Sequence, residues 1–503
     1  MKKLLLLFSV VAMMACSSNQ LSPVLTIEGG QVQGVTTDIS GVYVFRGIPY
    51  AAPPIKELRW KEPQPVIPWD GVMIADKFGH PGYQSVHYPG GYTTEWGYGD
   101  EAPYSEDCLY LNVWTNSPGE AKKKLPVALW IHGGGYREGW GSEPEFDGQE
   151  WANKDVVLVS INYRLGVFGF LTHPELSEES ANGVSGNYGI LDQIAALKWI
   201  KNNIKQFGGD PDNVTIFGQS AGAGSVKVLC ESPLARGLFD KAVIMSGGGI
   251  TVPEPEEKQP AKEYVATSMR GMFKMPTLDE SEDLTKTIMD WAGLNTLEKM
   301  RAASTEMIYS IPNIYTSATG NHVWMTQMPI IEGYVSSESF DDAVKGGNIA
   351  DIPYMIGFTL NDMGDMAPGI AAFCQERENH NNKAWAYEFA RPLPDDGSKE
   401  NVLQGAFHSS DLWYVFKSLK HCWRPWTDGD WNLSERMLTA WTNFAKYGDP
   451  NGETENPTWT PCTKDNPKFM IFKLNDKNED SSAMGMPIKD KNKDKQNKTN
   501  KEK

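Results

Sequence analysis

The sequence predicts an α/β fold, with a large, mostly parallel central sheet flanked by helices and carrying helical insertions. Three observations point there. Six apolar runs rich in β-branched residues recur at 109–114 (LYLNVW), 125–132 (LPVALWIH), 155–163 (DVVLVSINY), 213–218 (NVTIFG), 241–247 (KAVIMSG) and 352–357 (IPYMIG). Most are continuous rather than alternating, as strands covered on both faces require. Between the third and fourth lies GNYGILDQIAALKWIKNNIKQFGGD, with Ile190, Ile194 and Leu197 on one helical face and Gly208 and Gly209 as a stop. Strand, helix, strand is the order that builds parallel sheets.

The remaining elements follow in chain order. The first residues, MKKLLLLFSVVAMMACSSN, place Lys2 and Lys3 before an apolar run too short to span a bilayer. This predicts an export leader over residues 1–16, and its MMAC ending resembles a lipoprotein processing site with Cys16 as the lipidated residue. The expected location is therefore the cell envelope, lipid-anchored and outside the cytosol. After Gly249 regular alternation gives way to helical stretches such as 282–291 and long connections containing Pro and Gly. A clear helix returns in LSERMLTAWTNFAKYGDPN, with Met437, Trp441 and Phe444 on one face and Gly448 as the stop. Residues 17–488 read as one catalytic domain. The last fifteen, 489–503, carry seven lysines, three acids and no apolar residue, which predicts a solvated tail.

Composition excludes several functions. The net charge is −17, and because the tail is basic the body is more acidic still. Nucleic acid is not an expected partner, since no basic patch with interleaved aromatics occurs. Besides Cys16 the chain has Cys108, Cys230, Cys374, Cys422 and Cys462, an odd set without a CxxC pair. Disulfide pairing among Cys374, Cys422 and Cys462 stays open. With no HExxH and scattered histidines, no metal site is expected.

The stretch TIFGQSAGAGSV, 215–226, carries the chemistry. In G-x-S-x-G a strand turns sharply into a helix, Gly218 and Gly222 remove side chains that would collide, and Ser220 is left exposed above the sheet. The helix start directs free N–H groups, that of Ala221 nearest, toward developing negative charge. A second glycine loop, IHGGGY at 131–136, follows another strand and can face the same spot, which makes an oxyanion hole.

These elements, with FRGIPYAAPP (45–54), SEDCLYLNVW (105–114), NYRLGVFGFL (162–171), FGGDPDNVTIFGQSAGAGSV (207–226) and FAKYGDPN (444–451), resemble the type B carboxylesterase family, the cholinesterase-like branch of the α/β-hydrolases. The blocks stand in the family's order through most of residues 24–451. The resemblance implies a serine hydrolase of small or medium carboxylic esters that needs no cofactor. Ser220 is its nucleophile, His408, in GAFHSSDLWYVF, its general base, and Gly134, Gly135 and Ala221 its oxyanion donors. The acid falls on Asp362 in IGFTLNDM, where the family usually has Glu; Asp365 is the rival. The fold also serves adhesion proteins that have lost the nucleophile, so an impaired binding module is the alternative.

Departures and supports complete the reading. Gln219 stands where choline-ester members have Glu, which disfavours a cationic choline substrate. The upstream partner that the family's cysteine in EDCLYLN often has is missing from FGHPGYQ, so Cys108 is expected as a free, packed thiol. Arg59 with Glu106 and Arg164 with Asp192 match the family's internal ion pairs. Tyr136, Trp140 and Trp324 are candidates for a pocket lining or for plain packing, and the insert at 88–104 is placed to wall the entrance. Acyl and alcohol specificity and oligomeric state are not encoded in any recognisable pattern.

Overall fold

The computed structural model describes residues 20–85, 90–98, 103–252, 275–321, 323, 327–453 and 458–488; the expected leader and tail, and Trp324, lie outside these. Eleven strands form the central sheet: β1 (Val35–Thr36), β2 (Tyr43–Pro49), β3 (Tyr110–Thr115), β4 (Leu125–Ile131), β5 (Val157–Ile161), β6 (Gly209–Gln219), β7 (Lys241–Met245), β8 (Tyr354–Thr359), β9 (Ala384–Phe389), β10 (Phe469–Phe472) and β11 (Ala483–Gly485). Their spatial order is β11, β10, β9, β8, β7, β6, β4, β5, β3, β2, β1. The seven strands from β10 to β5 in that order are mutually parallel. Antiparallel pairs close both edges. A separate sheet of three short strands packs near the N-terminal end of the described chain.

The six apolar runs of the sequence are β3 to β8, with boundaries shifted by a few residues. Their side chains feed two cores, one on each face of the sheet. Leu129, Ile131 and Ile216 point into one, and Trp130 and Phe217 into the other, where Trp151 and Phe416 stack around them. Successive residues of a strand face opposite sides, so a strand covered on both faces is mostly apolar, and its few polar residues are paired, as Asn112 is with Ser160.

Helix α1 (Tyr188–Asn203) covers the first of these faces, burying Ile190, Ile194 and Leu197, and Gly208 at φ 80° turns the chain into β6. Helix α2 (Ala221–Glu231) starts directly after β6 and contacts β6 and β7. The helices α3 (Leu278–Trp291) and α4 (Thr305–Thr319) form the insertion between β7 and β8. Helix α5 (Asp428–Tyr447) buries Met437, Trp441 and Phe444 and ends at Gly448, φ 70°. Both family-type ion pairs are present and buried: Arg59 grips Glu106 and Arg164 grips Asp192, each through two nitrogens. Cys108 is a buried free thiol. Among the described residues no helix is long and apolar enough to cross a membrane, and no cluster of metal-ligating side chains occurs.

Candidate active site

The parallel strands end in loops on one edge of the sheet, where ligand sites of open α/β sheets gather. At the end of β6, Ser220 has φ 58° and ψ −122°, a conformation L-residues avoid, and its N–H donates to the Met245 carbonyl at 2.9 Å. The chain reaches it only because its neighbours are glycines. A Cβ on Gly218 would lie 2.5 Å from the Gly222 carbonyl oxygen, and one on Gly222 only 2.1 Å from that of Ile131. β4, β6 and α2 therefore meet backbone to backbone, and the serine stands at the tip of the turn, partly exposed.

The second glycine loop leaves β4 and folds against this turn. A Cβ on Gly133 would sit 3.1 Å from Ser220 Cβ, which sets the loop beside the serine. Gly134 and Gly135 adopt φ 92° and 63°. Among the described residues the N–H groups of Gly134, Gly135 and Ala221 donate to no protein acceptor. His132 behind the loop is buried; burial lowers its pKa to about 4, so it is neutral at pH 7. Glu143 anchors the far end by accepting from the Trp140 N–H at 2.8 Å and from the Tyr98 hydroxyl.

The imidazole of His408 comes from the loop after β9, 8% exposed, with Nδ1 2.6 Å from Asp362 Oδ1. Asp362 follows β8 and is otherwise saturated: Oδ1 accepts the Met363 N–H at 2.7 Å, and Oδ2 the Thr359 N–H at 3.1 Å and its hydroxyl at 3.3 Å. Burial by itself would raise the pKa of this carboxyl. The hydrogen bond and charge of His408, with Ser246 and the Met363 N–H, outweigh it and hold Asp362 below its usual value. Asp362 is thus an ionised acceptor, while the rival Asp365 is exposed to solvent. The Nε2 edge of the ring faces Gln219, its nitrogen 3.1 Å from Gln219 Nε2.

Several residues at the site carried no sequence signal. Asn361 straps the two loops together, its N–H donating to the Ala406 carbonyl and its Oδ1 accepting the Ala406 N–H, both at 2.9 Å. Tyr92, on the short helix Gly91–Trp96 of the insert, donates to the His408 carbonyl at 2.9 Å. That helix is pinned by Glu95, which is buried against Arg424 at 2.6 Å and accepts from Trp413 Nε1 at 3.0 Å. The described part of the insert, 90–98, thus packs against the His408 loop. Of the three candidate aromatics, Tyr136 packs edge-on against Phe170 and Trp140 is buried against Tyr98, both packing roles. Two residues past Gly135 a cavity of about 220 Å³ opens, lined by Ser85, Arg137, Glu138, Val167, Tyr309, Asn313 and Gln327.

With the glycine turn, the second glycine loop and the His408–Asp362 pair on one sheet edge, comparison with known proteins becomes decisive. The model of the carboxylesterase family matches residues 21–372 and 366–499. The chain belongs to the carboxylesterase family. It is 33% identical over 476 residues to para-nitrobenzyl esterase of Bacillus subtilis (strain 168), covering 86% of this chain and 91% of that one. It is 32% identical over 466 residues to fumonisin B1 esterase of Sphingopyxis macrogoltabida, covering 85% and 83%. A solved para-nitrobenzyl esterase structure superposes with a TM-score of 0.72 at 28% identity, covering 94% of this chain and 99% of that one. A Geobacillus stearothermophilus carboxylesterase gives 0.71 at 29%, covering 92% and 97%. The fold is the α/β-hydrolase fold, and this carboxylesterase is an ester-hydrolysing enzyme.

Proposed function

We propose that this carboxylesterase cleaves small or medium carboxylic esters through a Ser220–His408–Asp362 triad. The carrying observation is the 2.6 Å contact between His408 Nδ1 and an ionised, buried Asp362, on the same sheet edge as a serine held at φ 58°. Asp362 keeps the Nδ1–H tautomer, leaving the Nε2 lone pair to act as base. Ser220 Oγ forms a bond to the ester carbonyl carbon as its proton passes to Nε2, and the carbonyl electrons move onto oxygen. The N–H groups of Gly134, Gly135 and Ala221 stabilise that oxyanion. Collapse expels the alcohol, which takes the proton from Nε2. Water then attacks the acyl-enzyme by the same path, releasing the carboxylic acid and restoring the serine.

Gln219 supports a neutral alcohol group, since the residue before the nucleophile carries no negative charge to favour a quaternary ammonium. The leader sequence further supports export and lipidation at Cys16, which would tether the enzyme to the cell envelope; labelled fatty acid should enter the wild type and not Cys16→Ser.

The test is acid release from a panel of acetyl, butyryl and longer esters by wild type and Ser220→Ala, with serine labelling by a sulfonyl fluoride. Loss of a triad member lowers kcat by about 10⁴-fold or more. Equal turnover by the two proteins would refute the proposal and favour a binding module.

A further inference from the structure

The resting arrangement of the base differs from that needed for attack. Asp362 is an acceptor at Nδ1, so that nitrogen carries the ring proton and Nε2 carries the lone pair. The group that meets the lone pair is the side-chain amide of Gln219, at 3.1 Å. No hydrogen bond joins Ser220 Oγ to His408 among the described residues. Gln219 is the last residue of β6 and 3% exposed, so its amide is held in place by packing. Its other end lies against the second glycine loop, where a Cβ on Gly133 would come within 3.1 Å of Gln219 Oε1.

We propose that Gln219 is a positioning residue: its amide N–H occupies the Nε2 lone pair of His408 in the free enzyme and yields it to Ser220 when an ester fills the site. The inference rests on the reading of His408 as general base. A donor to the lone pair competes with protonation at Nε2, so its removal is read on the acid limb of the pH profile. Its Oε1 end also faces the loop that supplies the oxyanion donors.

Other charged and titratable groups face the ring and are common to every protein compared. Asp362 sits at Nδ1, the Tyr92 hydroxyl on the His408 carbonyl, and the buried Asp411 interacts with the ring through its charge. Burial raises the Asp411 carboxyl to about 7, and it is present in every variant, so the comparison is of limb positions between variants differing only at residue 219.

The experiment is the pH profile of kcat/KM for wild type, Gln219→Met and Gln219→Glu, on one short-acyl ester. Gln219→Met removes the donor and moves the acid limb to higher pH. Gln219→Glu is isosteric and sets a carboxylate against the imidazolium, moving the limb further, by about one unit or more. Acid limbs that coincide in all three proteins would overturn the inference, whatever happens to melting temperature. If the methionine variant does not fold, wild type against Gln219→Glu decides. An inactive wild type, or one matched by Ser220→Ala, would instead fail the triad reading.

Discussion

Replacing Asp362 by asparagine tests the triad through its hydrogen-bond inventory. The carboxylate accepts at least four contacts: from His408 Nδ1, from the Met363 N–H, and from the Thr359 N–H and hydroxyl. An amide has one acceptor oxygen and must aim its NH₂ at one pair of donors. With NH₂ toward the ring, His408 must move its proton to Nε2, and the lone pair needed by Ser220 disappears. With NH₂ toward Thr359, the hydroxyl can rotate to accept, but a buried N–H loses its acceptor at a cost of about 1–3 kcal/mol. Both orientations therefore weaken the fold, and one abolishes the base. The expected loss in kcat is about 10⁴-fold, the effect the same change has in the chymotrypsin triad. Stability adds a second reading. The folded carboxyl lies below its unfolded value of about 3.9, so its stabilisation is present above that pH and is lost as pH falls through the folded value. The melting-temperature gap between wild type and Asp362→Asn should be wide at pH 7 and close toward pH 3. The assay is acid release under saturating ester, with Asp365→Asn as control, because that carboxylate is exposed. A tenth or more of wild-type kcat in Asp362→Asn, or an equal loss in Asp365→Asn, would refute the reasoning.

Three further predictions follow from the same neighbourhood. Gly222→Ala places a Cβ 2.1 Å from the Ile131 carbonyl oxygen, so β4 and α2 must part; a loss of about 3 kcal/mol in denaturant unfolding is expected, together with loss of turnover. Burial raises the Glu143 carboxyl to about 7, and burial with the charge of Glu143 pushes that of Glu145 well up, so the folded protein holds more protons there than the unfolded chain between about pH 5 and 8. Melting temperature should fall as pH rises through that window, and the slope should flatten in Glu145→Gln; an unchanged slope counts against the shared burial of the pair. Glu95→Gln weakens the buried pair with Arg424 and leaves a guanidinium without its anion, at about 3–5 kcal/mol. It also frees the helix that holds Tyr92, so kcat/KM should fall with the melting temperature, and a stable, fully active variant would show that the insert does not support His408.

Most strands of the central sheet were legible because burial on both faces favours long apolar runs, and that pattern needs no knowledge of neighbours. β2, YVFRGIP, escaped because its second half runs past its two-residue partner β1 and is bulged against β3, where Arg46, Gly47 and Pro49 are tolerated. β9, AWAYEF, places Glu388 in the sheet, where the Ile488 N–H donates to it, a partner one hundred residues away. Ser220 and the glycine loops were readable because a strained turn admits few residue types. The supports were not: Asn361, Ser246, Tyr92 and Glu95 are ordinary polar residues whose role exists only when distant loops converge.

The aspartate at position 362 shows how such convergence compensates a local change. Its side chain is one methylene shorter than the glutamate of the family pattern, so the histidine must come closer to the acid loop. Asn361 brings it there. Asn361 and Phe407 are parallel bridge partners, and the Asn361 side chain adds a 2.9 Å bond from the Ala406 N–H beside the backbone one. Residues 362 and 408 are each the next along the chain, which sets their backbones side by side. Gly405 lets the loops approach, since a Cβ there would lie 2.4 Å from Asn361 Oδ1, and its φ of 77° is one that side chains rarely permit. The shorter acid reaches Nδ1 at 2.6 Å with the two loops tied in this register. On this argument Asn361→Ala should act on catalysis through distance. It should lower kcat as Asp362→Asn does but by less, and Asp362→Glu combined with it should recover activity that Asp362→Glu alone does not have. Failure of the pair to recover would mean that the strap holds the loops for stability only.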